Sequence, residues 1–196
     1  GLNWNLHMTY YTNESEVTEL TVDPYNYGGF ATFLGTYRIE KGLSPTSIVG
    51  ADYDADGNHI ELGNENPDYR LSFRNSFSFG PLSLSFLIDH KEGGHAINLA
   101  NLIYDLGGTT ADYEENGSRM AVLGGGSTAP YVESTTYTAL RDLSLTYALP
   151  GSLTESFGLD NVQLGLALRN WWMDSKYTGL SPEVSQFGNE AVGGSV

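Results

Sequence analysis

The residue types that could do chemistry meet most closely in one short run, Asp52-Tyr53-Asp54-Ala55-Asp56-Gly57. Carboxylates two residues apart and a closing glycine open a calcium loop, in which alternate oxygen ligands wrap a hard cation. Such a loop needs a bidentate glutamate at its twelfth position, which here is Gly63. The run therefore reads first as an Asp-Gly hairpin tip in an exposed loop, and only second as a metal set of Asp52, Asp54 and Asp56. The imidazoles His7, His59, His90 and His95 lack the paired spacing of a zinc site. No Gly-x-Ser-x-Gly elbow presents a serine to a base. No metal, cofactor, catalytic residue or enzyme activity is expected.

Aromatic residues carry more. Tyr10, Tyr11, Tyr131, Tyr137, Tyr147, Trp171, Trp172 and Tyr177 fall at or near the ends of strand-like stretches, where an amphipathic ring can sit between an apolar and a wet medium. The stretches themselves alternate with period two. Leu2, Trp4, Leu6, Met8 and Tyr10 oppose Asn3, Asn5, His7 and Thr9, while Tyr69, Leu71, Phe73, Phe77 and Phe79 oppose Arg70, Ser72, Arg74, Ser76 and Ser78. Gly80-Pro81 makes a tight turn into Leu82, Leu84, Phe86 and Ile88, so these two stretches form a hairpin. Further strands are predicted over about 135–149 and over 161–172, the latter with Val162, Leu164, Leu166, Leu168 and Trp172 on one face. Residues 30–41 are a sixth, weaker candidate. The faces opposite the apolar rows are Ser, Thr, Gly and Ala rather than charge, as a crowded barrel interior would be.

Composition narrows the classes. A net charge of -15 with nine Lys and Arg argues against nucleic acid and against adsorption to an anionic membrane surface. There is no cysteine, hence no disulfide framework and no thiolate metal site. The longest apolar run is Met120 to Leu123, far short of the roughly 20 residues of a transmembrane helix. A barrel strand crosses in only about 9–11 tilted residues with every second one apolar, so a mean hydropathy of -0.26 does not bear on it. The chain opens on Gly1 and carries no signal or transit peptide, and it is read as an excerpt of a longer protein.

Connections come in two lengths. Gly80-Pro81 and 150–160 are short; 42–68 and 92–130 exceed the 12–15 residues usual in compact domains. Six strands place the two short turns at one end and the long connections at the other, as in outer-membrane barrels. Residues 13–29 are the exception, a long connection at the short-turn end.

At these residues the sequence resembles the C-terminal part of SusC/RagA-type TonB-dependent transporters. Leu140-Arg141-Asp142-Leu143-Ser144-Leu145-Thr146-Tyr147-Ala148-Leu149-Pro150 is similar to a strand and turn of that family, and Phe157-Gly158-Leu159-Asp160-Asn161-Val162 to the approach to its next strand. Asn170-Trp171-Trp172, Lys176-Tyr177, Gly179 and Pro182-Glu183-Val184 are similar to its closing loop motif, with Ser181 where the family has Asp. Trp4 with 13–20, and Lys91-Glu92-Gly93-Gly94, extend the likeness along nearly the whole chain.

The resemblance implies an all-β fold: an antiparallel transmembrane β-barrel segment of about six strands, with residues 1–196 as the C-terminal part of the barrel. The plug domain and the TonB contact would lie in an N-terminal region outside these residues, and one last strand would follow Val196. It implies outer-membrane lipid around the wall in a Gram-negative bacterium, TonB as energy source, a SusD-like lipoprotein lid and an oligosaccharide or peptide as substrate. In the outer loops Trp172, Tyr177, Tyr113 and Tyr131 are the candidates to stack on ligand. The competing reading is a secreted, soluble all-β carbohydrate-binding module using the same aromatics.

Overall fold

A computed structural model describes residues 1–29, 31–159 and 161–183. In chain order its strands and helices are β1 (Leu2–Tyr11), β2 (Tyr25–Tyr27), β3 (Thr36–Ile39), β4 (Ser47–Tyr53), β5 (His59–Asn64), β6 (Pro67–Phe79), β7 (Leu82–Gly93) and β8 (His95–Ile97). There follow α1 (Leu99–Leu106), α2 (Ala111–Glu115), α3 (Ser118–Gly124), β9 (Val132–Ser134), β10 (Tyr137–Ala148), α4 (Gly151–Thr154) and β11 (Gln163–Ser175). They divide into two compact units. A sheet unit takes Gly1–Tyr11, Tyr69–Lys91 and Tyr137–Asp174; a loop unit takes Thr12–Asp68, Glu92–Thr136 and the residues from Ser175 on.

The sheet unit is one five-stranded sheet in the order β1-β6-β7-β10-β11. Its register puts like with like. Trp4 lies opposite Phe77 and Met8 opposite Phe73, while Asn5 faces Ser76 and Thr9 faces Ser72. Leu145 likewise lies opposite Leu84 and Leu143 opposite Phe86, with Ser144 against Ser85. Because side chains alternate, one face is a continuous apolar field and the other is hydroxyls and amides, with Arg70, Arg74, Asp89 and Arg141 among them. Trp4 stacks on Phe77 at 6.0 Å, and Phe77 lies 6.2 Å from Phe86, an aromatic row across three strands.

Two irregularities adjust this pattern. The β10–β7 register slips between Leu140 and Asp142, leaving Arg141 as a bulged residue, and Asn170 in β11 adopts φ 48°, the left-handed conformation of a bulge. Beyond Asn170 the alternation moves by one residue. Trp171, 66 % exposed, therefore continues the row of Leu164, Leu166 and Leu168, whereas regular alternation had assigned that place to Trp172.

The sixth strand expected over 30–41 is not in this sheet. β1 pairs directly with β6, and only Thr36–Ile39 are extended, as β3 of a separate sheet in the order β2-β3-β4-β5. Four residues are too few for a barrel strand, and Thr36 and Tyr37 are both buried, so the alternation that marks a two-faced sheet is missing. The large sheet thus has five strands where about six were expected. With β1 joined to β6 by one long connection, all long connections leave one end of the sheet and both short ones the other. The exception at 13–29 disappears, and β1 runs opposite to the direction assigned from six strands.

The loop unit has a dry core of Tyr37, Ile48 and Ile97, with Tyr27, Leu99 and Val132 packed against it. The two long connections both contribute to it. A two-stranded ribbon of β8 and β9 frames α1, α2 and α3. Gly35 holds φ +96°, and a Cβ there would lie 2.2 Å from the Ile97 Cδ1. Gly35→Ala is expected to destabilise the loop unit by about 2–3 kcal/mol, combining backbone strain and overpacking. Gly42→Ala, also at positive φ but with open space around it, isolates the backbone part and should cost about 1 kcal/mol. Protease-resistance midpoints in urea measure both.

Candidate functional site

The Asp52–Gly57 run is a hairpin tip between β4 and β5. Asp54 accepts the Asp56 N–H at 2.9 Å and the Asn58 N–H at 2.8 Å, and these bonds, that to Asn58 first, hold its carboxyl below the ordinary range. Asp52 instead accepts the Thr128 N–H at 2.8 Å. Asp54 is committed to the turn and Asp52 to Thr128, and among the described residues no group of three metal-ligating side chains converges.

The four aromatic candidates fall in different surroundings. Tyr131 is fully buried, its hydroxyl donating to Asp105 at 2.9 Å, so it has no face to offer a ligand. Burial pushes its phenol up to about 12. Its position beside a loop gave no sign of this: the signal was Asp105, 26 residues earlier. Tyr113 on α2 is 49 % exposed and Trp172 is 52 % exposed. Tyr177 is half-buried, and burial and the nearby Glu133 raise its phenol.

Two polar knots hold the loop unit. In the first, Arg119 of α3 donates from Nε to Asp105 Oδ2 at 2.7 Å and from Nη2 to Oδ1 at 2.9 Å, while Thr110 donates to the same carboxylate and caps α2. Asp105 is wholly buried, and this bidentate pair with the Thr110 and Tyr131 hydroxyls satisfies it. The Arg119 bond, chiefly, brings its carboxyl down to about 2. In the second knot Glu133 accepts the Thr178 N–H at 2.7 Å and the Asn98 Nδ2–H at 2.9 Å, and Asn98 caps α1 through the Asn101 N–H at 3.0 Å. The Lys176–Gly179 segment is thereby pinned to the start of α1.

In the sheet unit the apolar face is bare. Leu2, Trp4, Leu6, Met8, Tyr10, Phe79, Leu164 and Leu166 are each exposed, and the buried hydrophobic residues of this unit are Tyr137 and Ala139. A soluble monomer rarely shows such a field. The opposite face carries a shallow concavity of about 440 Å³ floored by Asn3, Asn5, Ser76, Ser83, Ser85 and Thr146. Further along that face Asp89 accepts from the Ser72 hydroxyl at 2.7 Å and from Arg141 at 3.4 Å, and Arg141 reaches Asn170 at 3.5 Å. This belt across four strands was not singled out from the sequence. Its trace was there: Leu140 and Leu143 are three apart, not two, which is how a bulge interrupts period two.

No protein-family model matches the chain. Among curated proteins, TonB-dependent receptor P3 of Formosa agariphila is 27% identical over 177 residues, covering 82% of this chain and 18% of that protein. TonB-dependent receptor P26 of the same organism is 26% identical over 191 residues, covering 82% and 19%. Among solved structures, the RagAB peptide importer in its closed-closed state superposes with a TM-score of 0.62 at 21% identity, covering 96% of this chain and 25% of that one. The chain is thus similar in sequence to TonB-dependent receptors and in fold to the RagAB importer. The open-open RagAB importer agrees at a TM-score of 0.58, 21% identity and 96% coverage of this chain. The chain spans about a fifth of the length of the curated relatives it matches. The fold is that of an outer-membrane β-barrel wall, and the similar proteins are receptors and importers by name, not enzymes.

An apolar face this exposed fits contact with lipid. Phe73→Arg, near the middle of the field, should cost about 2–4 kcal/mol in equilibrium unfolding from lipid vesicles, whereas Ser85→Asn on the polar face should stay within about 0.5 kcal/mol. The Asp105 knot sets a pH dependence. Its carboxyl is lowered from 3.8 to about 2, so its contribution is complete above pH 3.8 and is lost as pH falls through 2. That contribution is about 2 kcal/mol. Unfolding midpoints of wild type and Asp105→Asn should differ most at neutral pH and converge near pH 2.

Proposed function

We propose that this chain supplies wall strands and external loops to the C-terminal part of an outer-membrane, TonB-dependent importer of oligosaccharides or peptides in a Gram-negative bacterium. The observation that carries the reading is a five-stranded sheet whose apolar face is exposed and whose long connections all leave one end. TonB contact and a plug belong to an N-terminal region of the whole transporter. The loop unit lies on the external side, where Tyr113 and the half-exposed Tyr177 engage ligand; Trp172, on β11 of the sheet unit, is the third aromatic candidate. A SusD-like lipoprotein closes over it, for which the exposed Ile103, Tyr104 and Leu106 of α1 and Val122 of α3 offer apolar contact. The similar proteins, TonB-dependent receptors and a peptide importer, support this assignment. A soluble binding module is disfavoured because the apolar field would need a second sheet upon it.

The test exchanges the loop unit as a whole with that of a relative of different substrate, since its connections share one core. Uptake preference of the chimera should follow the loop unit, and Trp172→Ala with Tyr113→Ala should cut uptake at least about threefold without loss of the receptor from the outer membrane. Unchanged preference in a correctly inserted chimera refutes the loop assignment.

A further inference from the structure

His59 opens β5 and Asn26 lies on β2, the two edge strands of the sheet β2-β3-β4-β5. Their side chains nonetheless meet, with Asn26 Nδ2 3.4 Å from His59 Nε2. The other end of the amide sets its orientation. Arg38 Nη1, which can only donate, gives a hydrogen bond to Asn26 Oδ1 at 3.0 Å, and Arg38 Nε donates to Glu40 Oε2 at 2.9 Å. Asn26 therefore turns its NH2 toward Thr32 Oγ1 and His59 Nε2, each at 3.4 Å. A donor facing Nε2 requires a bare lone pair there. The ring is thus held neutral with its proton on Nδ1, an atom that is buried without a hydrogen-bond partner. Tyr53 of β4 packs its ring on the imidazole at 4.6 Å.

We propose that the chain Glu40–Arg38–Asn26–His59 is an acid-sensitive latch of the loop unit: the neutral His59 ring ties β2 to β5, and protonation of the ring releases β2. A proton on Nε2 would face the Asn26 NH2, donor against donor, and would put a second cation beside Arg38. The charged and titratable groups around the ring are Arg38 on β3, Glu40 just after it, and the Tyr53 phenol on β4. Burial, chiefly, and then Arg38 lower the His59 pKa below its ordinary 6.5, against the Gly50 carbonyl and Glu40, which favour the charged form. Because the unfolded chain takes up that proton first, the latch is fully closed above about pH 6.5 and gives way as pH falls from there toward the lowered value. β2 is the element that yields, since its ladder to β3 spans only Tyr25–Tyr27. Its other ties, the Tyr27 hydroxyl on the Pro45 carbonyl and the Thr36 hydroxyl on the Tyr27 carbonyl, contain no group that titrates near neutrality. The latch belongs to the loop unit itself and stands whichever ligand the importer takes.

Hydrogen exchange of the full-length receptor in detergent tests this. After correction for the intrinsic pH dependence of exchange, the β2 amides of the wild type should open at least about threefold more readily at about pH 5 than at about pH 7.5. His59→Gln keeps an acceptor for Asn26 and cannot take up a proton, so it should remove the difference. Asn26→Asp offers the charged ring an acceptor. It should raise the His59 titration midpoint, read from deuterium exchange at the imidazole Cε1–H, by at least about one pH unit and keep β2 protected in acid. A wild-type His59 midpoint at or above about 6.5, β2 protection indifferent to pH, or an acid response that persists in His59→Gln overturns the latch. Should His59→Gln fail to fold, the wild-type midpoint and the Asn26→Asp variant decide. Failure of the importer reading would show instead as unchanged uptake in cells lacking the receptor, and leaves these measurements as they are.

Discussion

Everything in the sheet unit follows from a backbone that must satisfy its hydrogen bonds strand to strand while one face has nothing among the described residues to bury against. In water such a sheet would be costly, with roughly 25 cal/mol for each Å² of apolar surface left wet. In a bilayer the same face is at rest, and the closed ladder becomes the requirement. The register is fixed by that demand, because a slip of one residue would turn Trp4, Leu6 and Met8 inward and Asn5 and His7 outward. The polar face carries no core either, so the sheet is stabilised by pairing and by its surroundings rather than by an interior of its own.

The loop unit obeys the opposite rule. It is small, strongly acidic and water-facing, and it coheres through Tyr37, Ile48 and Ile97 and two saturated polar knots. Self-repulsion among its carboxylates works against compactness. Knots that keep Asp105 and Glu133 fully hydrogen-bonded offset part of that repulsion, and the Arg119 pair removes one carboxylate from the field. The same knot orders α2: Tyr113 sits on that helix, whose N-terminal Thr110 is itself a member of the Asp105 knot.

Strands with strict alternation were legible from sequence, since β1, β6 and the first part of β7 announce themselves by period two and by the Gly80-Pro81 turn; β7 runs on to Gly93, past Asp89 where the alternation was read. The likeness to SusC/RagA-type transporters was legible because its main motifs lie in β10, in β11 and in the turns beside them. Residues 30–41 misled because Tyr37 and Ile39 have strand propensity, whereas what decides their place is burial against Ile48 and Ile97, far away in the chain. Tyr131 misled similarly, its partner Asp105 being visible only once α1 is in place. The expectations for Val184, for the closing loop beyond it and for a strand after Val196 lie outside the described residues, as do Phe30 and Asp160.

The pinning of Thr178 to Glu133 has a kinetic consequence. Its partners are 45 residues apart, those of the Asn98 contact 80, and Thr128 reaches back 95 residues to the Phe33 carbonyl at 2.9 Å. Each closure must pay the entropy of a long intervening chain before any contact rewards it. The loop unit therefore consolidates late, once the chain is complete as far as Thr178, so its final closure waits on residues well past those that form its own core.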